Sequence, residues 1–110
     1  MAKLERTLHG NFDTILRRIS DGIVNGSVSA SLEDTSDFSS NGARCSVRVF
    51  ERYSYAGGNR VSMNVTLFQG GPEEPIRLSA ITSGGSQALF WKVNTWGEET
   101  FLEKLREIIG

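Results

Sequence analysis

One cysteine, one histidine and two prolines occur in 110 residues, and each scarcity removes a class of explanation. With Cys45 alone, no disulfide can form within the chain, so a reducing compartment is the natural setting. With His9 alone, a zinc site would have to be built from carboxylates, and neither HxxE nor HExxH spacing occurs. No metal or cofactor is therefore expected. Charge of one sign is also missing: twelve Lys and Arg against thirteen Asp and Glu leave a net −1, which argues against a dedicated nucleic-acid binder. No apolar run approaches the roughly 18 residues of a membrane span. The stretch from Met1 to Gly10 lacks the apolar segment of a signal peptide. These absences lead us to expect a cytoplasmic protein with no membrane partner.

The residues that are present describe one globular domain over 1–110. Hydrophobic residues make up 38% and charged residues 23%, a globular rather than disordered balance, at a length close to the commonest domain size. Leu4 and Leu8 flank Arg6 at spacing two, which we read as a first strand over residues 3–9. Asn11 has the character of an N-cap, and Phe12, Ile15, Leu16, Ile19 and Ile23 then fall on one helical stripe. Asn25-Gly26 ends it. Val28, Ala30 and Leu32 alternate with serines as a half-buried strand. The polar stretch Glu33 to Gly42 reads as a surface loop. Its acids, Glu33, Asp34 and Asp37, lack the spacing of a calcium loop.

From Ala43 to Tyr55 the pattern is a long strand, followed by the turn-forming Ala56-Gly57-Gly58-Asn59. Its odd positions, Cys45, Val47, Val49 and Tyr53 among them, are read as facing the core. The return strand places Val61, Met63, Val65 and Leu67 on the same side. After Gly70-Gly71-Pro72, Pro75 opens another alternation with Ile76, Leu78 and Ala80 inward. Ser83-Gly84-Gly85-Ser86 is read as a turn or bulge, and residues 88–93 as a short strand. Thr95 and Glu98 have capping-box spacing ahead of a stripe of Phe101, Leu102, Leu105, Ile108 and Ile109. This predicts a last helix of roughly 13 residues, near 20 Å long.

The economical packing is an α+β, two-layer domain: an antiparallel sheet of four to six strands with two helices on one face, in β-α-β4-α order. That order resembles the TATA-box-binding-protein-like fold, and more loosely the helix-grip fold of START-like lipid binders. The segments Ser83-Gly84-Gly85-Ser86, Phe90-Trp91-Lys92-Val93-Asn94 and Trp96-Gly97-Glu98-Glu99 resemble the C-terminal part of a small uncharacterised bacterial family of about this length. This resemblance implies a bacterial cytoplasmic protein of unknown function and transfers no active site.

No nucleophile and base can be paired, so an enzyme is not expected. Cys45, on the inferred core side, is read as a small buried hydrophobe. The even face of the sheet is more informative. Arg44, Arg48, Phe50, Arg52, Phe68, Arg77 and Ile81 would share it, and arginine with large apolar groups is the composition of interaction surfaces. We therefore expect an interaction protein that forms a homodimer through an open sheet face. The alternative is a small-molecule or lipid binder of helix-grip type, with a cleft at Glu51, Tyr53, Trp91 and Trp96.

Overall fold

Asn11 starts the first helix as its side chain predicts: its Oδ1 accepts a hydrogen bond from the Thr14 amide at 2.9 Å, one of the donors that a helix start leaves free. The computed structural model describes residues 1–53, 60–84 and 91–110, with side chains in the last stretch from Gly97 onward. Within them the order is β1 (Ala2–Leu8), α1 (Phe12–Asn25), β2 (Ser31–Ser40), β3 (Ala43–Tyr53), β4 (Arg60–Gln69), β5 (Ile76–Gly84) and α2 (Trp91–Ile109). The five strands form an antiparallel sheet ordered β1-β5-β4-β3-β2. The α+β class and the β-α-β4-α order are as expected.

The core is one cluster to which both helices and one face of the sheet contribute. Phe12, Ile15, Leu16, Ile19 and Ile23 bury the predicted stripe of α1, and Phe101, Leu102 and Leu105 that of α2. From β4 come Val61, Met63, Val65 and Leu67, and from β5 Ile76, Leu78 and Ala80, the parity the alternation predicts. The helices approach closely at Gly22, where an added Cβ would lie 2.6 Å from Ile108 Cδ1. Any side chain at that position would force Ile108 to shift.

Three expectations are corrected. Residues 33–42 are not a loop: β2 occupies Ser31–Ser40, and residues 27–30 precede it outside any strand. Asn41 and Gly42 turn it into β3 with φ of +50° and +86°, the positive pair that a tight two-residue hairpin favours. Backbone pairing makes this strand, not hydrophobic alternation, since none of its residues is fully buried. The last helix begins at Trp91 and has 19 residues. Thr95 thus lies inside it instead of capping it, and residues 91–93 are helical. Glu98, buried, pairs with the Met1 amino group at 3.1 Å. The proposed turn at 56–59, and residues 85–90, lie outside the described residues.

The third correction concerns β3, whose faces are reversed. Phe50 is fully buried and Ser46 nearly so, whereas Cys45, Val47 and Val49 are only half-buried. Pairing with β4 decides the parity. Phe50 lies opposite Met63 and Arg52 opposite Val61, and directly opposed residues point to the same side of a sheet. The arginines of that face lay their stems over apolar neighbours and carry their charge to the margin. Arg44 stands over the Phe12 ring at 4.2 Å and Arg52 over Phe101 at 4.7 Å.

Candidate functional site: the uncovered sheet face

The face of the sheet opposite the helices is built in cross-strand rows. One row runs Phe38, Cys45, Phe68, Arg77 and Thr7 across β2, β3, β4, β5 and β1; the next runs Ser36, Val47, Thr66, Ser79 and Glu5. A third runs Asp34, Val49, Asn64, Ile81 and Lys3. Large apolar groups stand out of this surface: Phe38 is 62% exposed, Phe68 43%, Ile81 43% and Tyr53 53%. Between them lie the half-buried Cys45, Val47 and Val49.

Phe68 is a ridge between two hollows. On one side an apolar depression of about 200 Å³ lies among Phe38, Ala43, Cys45 and Phe68. On the other a hollow of about 260 Å³ is lined by Glu5, Thr7, Thr66, Arg77 and Ser79. The charges of the face are largely matched in place. Glu51 pairs with Arg60 at 3.0 Å and Lys3 with Glu5 at 3.5 Å, and the Arg60 guanidinium stands 5.5 Å from the Tyr53 ring centre.

The predicted interface is therefore divided. Phe68, Arg77 and Ile81 lie on the uncovered face. Arg44, Arg48, Phe50 and Arg52 lie on the helix side and are not available to it. Cys45, expected in the core, is on the uncovered face instead. Of the predicted cleft residues, Glu51 and Tyr53 turn away from α2; the side chains of Trp91 and Trp96 are outside the described residues. Phe38, Val47 and Val49 were missed. Phe38 sat in a presumed loop, and the Asn-Gly turn at 41–42, which pairs it with Cys45, was the signal available.

The arginines on the helix side hold the β2–β3 hairpin. Arg44 donates to both carboxylate oxygens of Asp13 at 2.7 and 3.2 Å, and this hydrogen bonding holds the Asp13 carboxyl below its ordinary range. Arg48 donates to Asp37 at 2.9 Å. A hydrogen bond from Ser46, and then the Arg48 contact, lower the Asp37 carboxyl. Burial lowers the pKa of Arg52, and its Nη2 reaches the Gly97 carbonyl at 3.5 Å. These groups tie elements together.

His9 is exposed just after β1. Among the described residues no group of three or more His, Cys, Asp or Glu is placed to hold a metal ion, and no helix is long and apolar enough to cross a membrane.

With this geometry in hand, a comparison with known families adds one result: a match over residues 1–110 to the family described as a family of unknown function, DUF6054. The chain belongs to DUF6054. No curated protein and no solved structure matches it. For this DUF6054 chain, then, function must be argued from its surface.

Proposed function

We propose that this protein is a non-enzymatic, cytoplasmic interaction protein that forms a homodimer through the uncovered sheet face. The observation that supports it most is the group of Phe38, Phe68 and Ile81, each more than two-fifths exposed, around half-buried Cys45, Val47 and Val49. Size supports it too. Five strands at ~4.8 Å spacing and about 25–30 Å of length present roughly 600–700 Å², close to the ~800 Å² each partner buries in a standard interface.

Charge favours a second copy over a nucleic acid. Lys3, Arg60 and Arg77 on this face are balanced by Glu5, Asp34 and Glu51, and three of the four arginines first assigned to it belong to the other side. A neutral face does not repel its own copy and offers little to a phosphate backbone. The helix-grip alternative has less support. The described side chains between sheet and α2, including Met63, Leu78, Phe101 and Leu105, are packed and buried.

Light scattering coupled to size exclusion tests the proposal. The parent is expected at twice the chain mass and Phe68→Glu at the chain mass, with unchanged circular dichroism. A parent that is monomeric at high micromolar concentration overturns it.

A further inference from the structure

Resting on that dimer, we infer that its two-fold axis runs parallel to β4 between the stacked sheets, so that β3 of each copy lies over β5 of the other. β4 is the central strand of five. An axis along it lays β4 on β4, β3 on β5 and β2 on β1, and keeps every cross-strand row facing its own copy in reverse order.

The row Asp34, Val49, Asn64, Ile81, Lys3 is complementary to itself under that operation. Asp34 meets the partner's Lys3, Val49 meets the partner's Ile81, and Asn64 meets the partner's Asn64, where two amides can exchange hydrogen bonds. The contact is isologous, so each of the unlike pairs occurs twice. In the row of Phe38, the same operation sets Phe68 against its own copy at the axis, a place for an offset aromatic pair.

The other in-plane axis, across the strands and centred on the same row, lays each strand on itself. It sets Asp34 against Asp34, Lys3 against Lys3 and Val47 against Glu51. Like charges opposed in an interface are costly, and so is an aliphatic group set against a carboxylate. Twisted sheets stack at about −30°, which tilts each β4 by about half that angle from the axis and displaces the outermost strands most. The flexible stem of Lys3 spans that offset, while Val49 and Ile81, one strand from the axis, stay opposed.

The test exploits the two sites of each unlike pair. Val49→Asp and Ile81→Lys are made separately. Each homodimer then buries charge against an aliphatic partner, and its dissociation constant is expected to weaken about 100-fold or more. Mixing the two variants restores a dimer, because the heterodimer sets Asp against Lys at one site and keeps Val49 on Ile81 at the other. Within one chain these positions are separated by β4, so pairing inside the protomer does not mimic the result.

Analytical ultracentrifugation reads the species, with circular dichroism to show each variant folded. Should either variant fail to fold, Phe68→Cys joined to its copy by a short bismaleimide in a Cys45→Ser background gives the same distinction. A dimeric parent whose folded variants are monomeric alone and stay monomeric when mixed overturns the axis and leaves the dimer face standing. A dimeric Phe68→Cys protein that does not cross-link does the same. A monomeric parent overturns both.

Discussion

β4 and β2 are each ten residues long and belong to the same sheet, yet they are held in different ways. β4 lies in the middle and alternates buried Val61, Met63, Val65 and Leu67 with outward Ser62, Asn64, Thr66 and Phe68. β2 lies at the edge and has no fully buried side chain. Its backbone ladder to β3 and the Arg48–Asp37 pair do for it what burial does for β4. The comparison teaches that a strand can be specified by its turn and its partner, with little hydrophobic signal of its own. A bulge between Leu32 and Asp34 interrupts the ladder, and the acids around it discourage another chain from adding to that edge.

The largest effect expected from breaking this contrast is in the core half. Phe50→Ala removes a fully buried ring opposite Met63 and is expected to cost about 3–5 kcal/mol. Leu105→Ala in α2 is expected to cost about 2–5 kcal/mol. Urea unfolding measures both, and a Phe50→Ala cost under about 1 kcal/mol would return β3 to the opposite parity.

Next comes the turn. Gly42 has φ of +86°, so Gly42→Ala is expected to cost roughly 1–2 kcal/mol, while a glycine with ordinary φ in an exposed loop tolerates alanine. Amide hydrogen exchange should place the loss in β2 and the start of β3 and leave β4 protected.

The ion pair gives a smaller change. Asp37 is more than half exposed, so Asp37→Asn is expected to cost less than about 1 kcal/mol, with faster exchange along β2 as its signature.

Acid should act at the same places. Asp13 and Asp37 titrate below their ordinary value of 3.8 in the folded chain. Their contribution is therefore present above that value and is lost as pH falls from it through the lowered folded value. Below about pH 4 the β2–β3 hairpin should loosen before the helices, with circular dichroism and exchange followed together. In Asp13→Asn/Asp37→Asn this early step should be absent.

Much of the core was legible because the helices and β4–β5 have strict apolar periods. Phe12 to Ile23 on α1 and Val61 to Leu67 on β4 each bury one stripe or one face. β3 was not legible by the same means. Apolar side chains stand on both of its sides, and its covered side includes three arginines whose partners, Asp13, Asp37 and Phe101, come from other elements. Parity there depends on pairing across the sheet. β2 has no period at all, and its one local signal was Asn41-Gly42. The start of α2 was misplaced because Thr95 and Glu98 imitate a cap within a continuing helix. The site inherited the β3 reversal: Phe68, Arg77 and Ile81 were found, and Val47, Val49 and Phe38 were not.

The pairing of β1 with β5 also sets a timetable for the nascent chain. Ala2 is opposite Thr82, eighty positions later. At about 5–20 residues per second of synthesis, the first strand leaves the ribosome roughly 4–16 s before its partner has been made. The meander from β2 to β5 closes by short connections and can pair as it emerges. β1 has no strand to pair with until β5 is made, and in the interval Leu4 and Leu8 have charged neighbours in Lys3, Glu5 and Arg6.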